Sequence, residues 1–260
     1  VIIGTHALFQ ENVYFEDLAL VIIDEQHKFG VHQRLSLSKK ASLTPHQLVM
    51  TATPIPRSLT MSAYADLDTS IIDELPPGRQ TIETVALSNA RRDELITKIK
   101  QISKEGRQIY WVCTLIEESE ALRAESAEKT FTYLTDNLRD LKVVMIHGRL
   151  TKSEKEIIMS DFSSGKTNLL VATTVIEVGV NVPNASLMIV ENAERLGLAQ
   201  LHQLRGRVGR GSEKSACVLL YQSPLSQTAK ERLDILRQSN DGFLIAQKDL
   251  ELRGPGEILG

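Results

Sequence analysis

Short runs of Val, Ile and Leu, separated by segments of helical periodicity, constrain the fold of this chain more than any other feature. Strands of a parallel sheet are covered on both faces, so they read as nearly continuous apolar runs. The predicted strands are residues 18–23, 47–51, 108–114, 142–147, 168–173, 186–191 and 216–221. The pattern predicts an α/β fold of βαβ units, with parallel sheets and flanking helices.

Two helices are specified by their ends as well as by their periodicity. Ser88 is the predicted N-cap of the first, and Gly106 ends it. Thr151 and Glu154 form a capping box that begins the second, and Gly165 ends it. The apolar residues that these helices are predicted to bury are Leu95, Ile96, Ile99, Ile102, Ile157, Ile158 and Phe162.

The sharpest break in the chain is Pro76-Pro77-Gly78, which continues neither a helix nor a strand. We therefore predict a domain boundary there, with residues 1–78 as one unit and 79–223 as a second. Residues 224–260 are predicted to form a helical pair, 226–237 and 243–249, followed by a loop around Arg253.

Composition excludes several classes of protein. The 260 residues carry a net charge of -3, so any role on nucleic acid must depend on local basic patches. Two cysteines, Cys113 and Cys217, give neither a disulfide framework nor a metal cluster. No apolar run approaches the roughly 18–20 residues that span a bilayer, so we expect a cytoplasmic protein with no membrane partner. Because Val1 lies within an apolar run and no initiator methionine is present, we expect a fragment of a longer protein.

Asp24 and Glu25 follow the first predicted strand, where ligands bind in open α/β sheets. A carboxylate there can hold Mg²⁺ through its water shell, and its neighbour can orient or deprotonate a water molecule. From position alone, a solvated strand end is an equally good interpretation.

A basic motif follows the sixth predicted strand. If it is helical, Gln203, Arg207 and Arg210 share one face, and two guanidinium groups form a phosphate clamp. Gly206 and Gly209 would then leave a bare stripe on that helix. Glycine in a helix costs about 1 kcal/mol relative to alanine, which favours the clamp over a solvated basic surface.

A third, weaker motif is the strand that ends at Thr173 and Thr174 before Glu177, whose hydroxyls can hold phosphate oxygens. Gly165-Lys166-Thr167 imitates the end of a P-loop, but the required first glycine is Ser160 and the element order is reversed. The sequence therefore contains no P-loop.

Taken in order, these motifs resemble the motor of superfamily 2 helicases, and specifically the RecG-type branch-migration helicases. The matching stretches are residues 4–8, 24–30, 51–57, 111–113, 116–120, 147–149, 173–183 and 200–211. Residues 249–257 resemble the translocation motif shared by RecG-type helicases and Mfd-type translocases, and Asp24-Glu25-Gln26-His27 favours the RecG type.

The resemblance implies two RecA-like lobes, a truncated first and a complete second, with ATP and Mg²⁺ between them. It assigns Asp24 to Mg²⁺ and Glu25 to the attacking water. The residues implied for ATP are Gly179, Asn181, Gln203 and the arginine fingers Arg207 and Arg210. Those implied to couple the ATP site to DNA are Gln26, His27, Thr51, Thr53, Gln247 and Arg253. Those implied for DNA are Thr5, His6, His147, Gly148, Thr173, Thr174 and Glu177.

Two positions depart from the family pattern. Asn181 replaces the usual Asp, and its amide oxygen can still accept a hydrogen bond from the ATP ribose, but without charge. Thr114 stands where proline is expected.

The expected function is that of a monomeric motor that uses ATP to remodel branched or duplex DNA, such as stalled forks and Holliday junctions, in repair and recombination. The fragment itself, without a P-loop, is expected to be inactive. The alternatives are an Mfd-like transcription-repair translocase and a non-catalytic RecA-like binding module.

Overall fold

A computed structural model describes residues 1–25, 40–41, 43–51, 68–72, 74, 80–114, 120–173, 182–211 and 213–253. The chain divides into two compact units, Val1–Pro54 and Ile55–Gly260. The predicted boundary at residues 76–78 lies outside the described residues and stays a prediction.

In the first unit, two short parallel strands follow a 3-10 helix at His6–Phe9. β1 (Leu20–Ile23) pairs with β2 (His46–Val49). Val21 and Ile23 on β1 are buried, whereas Leu20 and Ile22 on its other face are exposed. The predicted strands 18–23 and 47–51 are therefore confirmed with boundaries shifted by up to two residues.

The second unit contains a six-stranded sheet in the order β3-β8-β7-β4-β6-β5, and every pair is parallel. Its strands are β3 (Glu83–Ser88), β4 (Gln108–Cys113), β5 (Val143–Ile146), β6 (Leu169–Thr173), β7 (Ala185–Glu191) and β8 (Ala216–Tyr221). Five of them are the strands predicted from the apolar runs. β3 was not predicted, because Glu83, Thr84 and Ser88 leave only the three consecutive apolar residues 85–87 in this strand.

Helices cover both faces of this sheet. They are α1 (Arg92–Lys104), α2 (Glu120–Asn137), α3 (Lys152–Ser163), α4 (Leu198–Arg205), α5 (Gln227–Gln238) and α6 (Gly242–Arg253). Along β4, Tyr110 and Val112 belong to the core with α3 to α6, while Ile109 and Trp111 belong to the core with α1 and α2. This double coverage confirms the predicted α/β class and explains why the strand sequences are apolar throughout.

The predicted helix ends are largely confirmed. The Ser88 hydroxyl accepts the Ala90 N–H at 3.4 Å and caps a 3-10 turn that leads into α1. The capping box of Thr151 and Glu154 begins α3. The prediction that Ile157 is buried is wrong: the residue is 64% exposed, because the buried face of α3 passes through Met159 and the predicted Phe162.

The predicted helical pair is α5 and α6, and it packs into the same core as the sheet through Leu233, Leu236 and Ile245. The prediction that Arg253 lies in a loop is wrong, because Arg253 is the last residue of α6. None of the helices in the described ranges has the length and apolar character needed to cross a membrane.

Candidate functional site

Asp24 and Glu25 directly follow β1, as predicted. The exposed Asp24 carboxylate accepts the main-chain N–H of Glu25 through Oδ1 at 2.9 Å. Glu25 has a φ of 52°, a left-handed conformation that is uncommon outside glycine and recurs at functional sites. A single exposed carboxylate of this kind fits Mg²⁺ that keeps most of its water ligands. Nowhere in the described part of the chain do three or more His, Cys, Asp or Glu side chains cluster as metal ligands.

Near the start of the chain, Thr5 is the N-cap residue of the 3-10 helix and His6 is its first residue, and both are exposed. The half-buried Lys40 holds the segment that follows them, since its Nζ donates to the carbonyl oxygens of Leu8, Gln10 and Val13, the last at 2.9 Å. A lone lysine far along the chain carries no sequence feature that predicts this role.

Of the remaining predicted site residues, one follows β2 and the others lie outside the described residues. Thr51 is half-buried just beyond β2. The residues that lie outside the described ranges are Gln26, His27, Thr53, Thr174, Glu177, Gly179 and Asn181.

The structure brings together three residues predicted to contact DNA, at the carboxyl edge of the six-stranded sheet. β5 and β6 are neighbours, with Ile146 opposite Ala172, so His147 and Thr173 end adjacent strands. Thr173 is buried, and His147 is half-buried with an Nδ1 atom that has no hydrogen-bond partner among the described residues. Gly148 is exposed, and its carbonyl accepts a hydrogen bond from Lys155 at 3.0 Å.

A buried polar network lies at the same carboxyl edge, around the Glu191 carboxylate at the end of β7, and β4 separates β7 from β6. Arg92 Nη1 donates to Glu191 Oε1 at 2.7 Å. Trp111 Nε1 and Thr130 Oγ1 donate to Oε2 at 3.0 and 3.1 Å. The Arg92 guanidinium also lies over the Trp111 ring, 4.9 Å from its centroid. The network joins α1, α2, β4 and β7, and sequence reasoning missed it.

Burial raises the pKa of the Cys113 thiol, and the Glu191 carboxylate raises it further. The thiol therefore stays protonated at neutral pH and donates to Glu191 Oε2 at 3.6 Å. Thr114, which replaces the expected proline, is also buried. Its hydroxyl donates to the carbonyl oxygens of Glu191 and Asn192, and so it ties the end of β4 to the end of β7.

The arginine motif adopts a conformation different from the predicted one. α4 ends at Arg205, so Arg207 and Arg210 lie in the following loop rather than on a helix face with Gln203, and that prediction is wrong. We call residues 206–211 the arginine loop. Gly209, four residues after the end of α4, has a φ of 74°, a left-handed conformation that turns the chain. The glycines therefore serve the loop and leave no bare stripe on a helix.

Close backbone packing places the arginine loop at the amino-terminal edge of the sheet. A Cβ atom on Gly209 would lie 2.9 Å from Ile82 Cγ1, just before β3. A Cβ atom on Gly211 would lie 2.5 Å from the carbonyl oxygen of Pro183, just before β7. Both contacts require glycine. The segment that leads into Pro183 is the one to which the resemblance assigns Gly179 and Asn181.

Arg207 is half-buried and Arg210 is exposed, with Nε donating to the Gly206 carbonyl at 3.5 Å. Burial raises the pKa of Tyr110 on β4 to about 12, and the positive charges of Arg210 and Arg207 oppose this shift. Gln203 is exposed on α4.

The helical pair is tied to its neighbours by two arginines that sequence reasoning missed. Arg232 of α5 donates to the carbonyl oxygens of Leu196 and Glu194, both at 3.0 Å. Arg205, the last residue of α4, is almost fully buried and reaches the end of α5. The predicted coupling residue Gln247 is exposed on α6 and donates to Glu251 at 3.2 Å.

Comparison with known proteins identifies the class. Residues 90–212 match the helicase conserved C-terminal domain. The fold is similar to that of a point variant of yeast Dbp5 bound to RNA and ADP BeF3, with a TM-score of 0.56, 15% identity and coverage of 96% of this chain and 61% of that one. The six-stranded sheet with its arginine loop is therefore the C-terminal lobe of a helicase.

Within that class, sequence identity is much higher to one family than to Dbp5. The chain is 65% identical over 263 residues to the ATP-dependent DNA helicase RecG of Escherichia coli K12, and 62% identical over 263 residues to that of Haemophilus influenzae. The structure of RecG bound to a three-way DNA junction matches with a TM-score of 0.76 and 45% identity, over 98% of this chain and 33% of that one. This chain belongs to the RecG family. It spans 38% of the length of the two curated relatives, and all of it is matched.

Proposed function

We propose that this chain is the C-terminal motor segment of an ATP-dependent DNA helicase that remodels branched DNA, such as stalled forks and Holliday junctions, in repair and recombination. The observation that carries the proposal is the separation of two groups on one rigid sheet. The arginine loop lies at the amino-terminal edge, and His147, Gly148 and Thr173 lie at the carboxyl edge. A motor needs such an arrangement, because one body must contact nucleotide and DNA at different places.

At the nucleotide side, Arg207 and Arg210 of the arginine loop act as arginine fingers, assisted by Gln203, and Asn181 and Gly179 contact ATP. Such fingers stabilise negative charge that develops on the transferred phosphoryl group. Asp24 would hold Mg²⁺, and Glu25 would orient the attacking water. When bound, Mg²⁺ would neutralise charge on the phosphates. Because the sequence contains no P-loop, the 260 residues alone do not hydrolyse ATP.

At the DNA side, the exposed backbone of Gly148, next to the half-buried His147, would meet phosphate oxygens. The further residues that we assign to DNA are Thr5, His6, Thr173, Thr174 and Glu177. The residues that we assign to coupling are Gln26, His27, Thr51, Thr53, Gln247 and Arg253. We assign the whole protein to the cytoplasm, as a monomeric motor.

The test compares DNA substrates with the full-length protein that carries this chain. ATP hydrolysis and strand separation are measured on a three-way junction and on linear duplex of equal length. A RecG-type motor hydrolyses ATP faster on the junction and unwinds it. Equal hydrolysis on both substrates without junction unwinding would favour the Mfd-like translocase, and no hydrolysis on either would favour the non-catalytic module.

A further inference from the structure

One lysine of the first unit, Lys40, is bonded to three points of a segment that lies far from it in the sequence. Its ammonium Nζ donates to the carbonyl oxygens of Leu8 at 3.5 Å, of Gln10, and of Val13 at 2.9 Å. A lysine ammonium carries three N–H donors and no acceptor. The half-buried Lys40 therefore directs all of its donors to the main chain of residues 8–13.

The segment that Lys40 contacts begins within the 3-10 helix at His6–Phe9 and continues beyond its end. The last carbonyls of a helix lack partners within the helix, and a lysine side chain nearby can bond them. Leu8 and Gln10 occupy this position, and the Gln10 carbonyl also accepts the Val13 N–H at 3.1 Å. Lys40 thus closes the end of the short helix and fixes the main chain that follows it.

Phe9 lies between the first two of these carbonyls and connects them to His6. Its side chain packs against the buried Val21 and Ile23 of β1. The centroid of the Phe9 ring lies 6.3 Å from that of the His6 ring, with an angle of 50° between the ring planes. Lys40 fixes the main chain on both sides of Phe9, and Phe9 in turn supports one side of the His6 ring.

Thr5 and His6 are the residues of this segment to which we assign contact with DNA. Both are exposed, and the Thr5 side chain does not cap the helix although Thr5 is the N-cap residue. A threonine at that position usually accepts a main-chain N–H of the first turn, so the fold does not use the Thr5 hydroxyl in this way. A hydroxyl and an imidazole can donate to phosphate oxygens, and such contacts depend on the main chain that places them.

We propose that Lys40 is a positioning residue for DNA, which holds Thr5 and His6 in place through the main chain of residues 8–13 and itself touches neither DNA nor nucleotide. The inference rests on the proposed function and adds a residue to its DNA side. Two other interpretations are that Lys40 binds a phosphate directly and that it only stabilises the fold. Each of them differs from the proposal in a quantity that can be measured.

The test uses the full-length protein with Lys40→Met, Lys40→Gln, His6→Ala and the double variant of Lys40→Met with His6→Ala. Lys166→Met controls for the loss of one positive charge, because Lys166 is an exposed lysine of the second unit that pairs with Asp161 at 3.2 Å. ATP hydrolysis is measured at increasing concentrations of a three-way junction, which gives a maximal rate and a half-saturating DNA concentration. The titration is repeated at several salt concentrations, and thermal denaturation is recorded for each variant.

We expect Lys40→Met to raise the half-saturating DNA concentration by about 3- to 10-fold, as for the loss of one hydrogen bond, and to leave the maximal rate unchanged. Lys40→Gln should have a smaller effect, because its amide keeps two N–H donors. In the His6→Ala background, Lys40→Met should add no more than about twofold, whereas the effects of independent sites would multiply. The dependence of the half-saturating concentration on salt should not change.

Multiplied effects in the double variant, or an equal shift in Lys166→Met, would overturn the proposal. A salt slope reduced by about 1 in Lys40→Met would also overturn it, because that change marks a direct phosphate contact. A lower denaturation temperature with an unchanged half-saturating concentration would leave Lys40 a purely structural residue. If Lys40→Met does not fold, Lys40→Gln takes its place under the same criteria. His6→Ala without effect overturns this proposal alone, whereas the proposed function fails only if the unaltered protein does not hydrolyse ATP on the junction.

Discussion

Replacing Glu191 with alanine should strongly destabilise the six-stranded sheet unit, although the residue is not part of its apolar core. The substitution leaves the Arg92 guanidinium, the Trp111 N–H and the Thr130 hydroxyl without their shared acceptor. Removing one partner of a buried ion pair costs about 3–5 kcal/mol. Because the side chains of Arg92 and Glu191 are still 19% and 11% exposed, water offsets part of the loss. We expect a decrease of about 3 kcal/mol in the free energy of unfolding, at the lower end of that range.

A double substitution separates the ion pair from the rest of the network. Arg92→Met with Glu191→Leu removes both charges and keeps most of the volume, so no unpaired ion remains buried. Replacing a whole buried ion pair by apolar residues is often neutral or stabilising. The Trp111 N–H and Thr130 hydroxyl still lose an acceptor, at about 1–3 kcal/mol for each group that stays buried and unsatisfied. The loss of unfolding free energy in the double variant should therefore be smaller, by about 1–3 kcal/mol, than the sum of the losses in Arg92→Met and Glu191→Leu.

Urea unfolding followed by tryptophan fluorescence measures the free energy of unfolding of each variant. Trp111 is the single tryptophan of the chain and lies within the network, so its emission reports on the sheet unit alone. The slope of free energy against urea should stay constant among the variants, which shows that the same surface is exposed on unfolding. A loss below about 1 kcal/mol for Glu191→Ala, or strict additivity of the two single variants, would refute a coupled buried pair.

Three further outcomes follow from the arginine loop and from α3. In the full-length protein, Arg207→Ala should lower kcat by about 10³–10⁵ with little change in the KM for ATP, and a raised KM with unchanged kcat would contradict the finger role. Gly211→Ala should lower kcat because its Cβ would lie 2.5 Å from the Pro183 carbonyl oxygen, whereas Gly206→Ala, whose Cβ meets nothing closer than 3.4 Å, should have a much smaller effect. The Thr151 hydroxyl and N–H lower the pKa of Glu154, so the capping contribution is complete above the ordinary carboxyl pKa and is lost as the pH falls through the lowered value. Glu154→Gln should flatten that part of a plot of denaturation temperature against pH, and an unchanged plot would argue against the capping box.

Much of the fold could be predicted because its strands are covered on both faces. β4 and β6 are buried at every position, so each appears in the sequence as an unbroken apolar run. β3 lacks this character because half of its residues, Glu83, Thr84 and Ser88, are polar. A short strand with this many polar residues is not recognised from apolar runs, whereas β5, the other edge strand, is recognised because residues 143–146 are all apolar.

The candidate site could be predicted where it depends on strand ends, and could not where it depends on distant partners. His147 and Thr173 follow apolar runs, so their common edge follows from the parallel order of the strands. Glu191 and Arg92 are separated by 99 residues in the chain, and Arg205 reaches a carbonyl 31 residues away. Neither contact has a local pattern, because any exposed arginine or glutamate would look the same in the sequence.

The error in the arginine motif has a physical cause. In the sequence alone, the cost of glycine within a helix favours a ligand-binding helix face at Gly206 and Gly209, whereas the same cost is the reason why the helix ends before them. Left-handed backbone at Gly209 and close packing at Gly211 turn the chain along the amino-terminal edge of the sheet. Each of these positions excludes a side chain for a steric reason. The placement of Arg207 and Arg210 thus depends on Gly209 and Gly211, which is why substitution of a glycine that touches no ligand should still change the rate of hydrolysis.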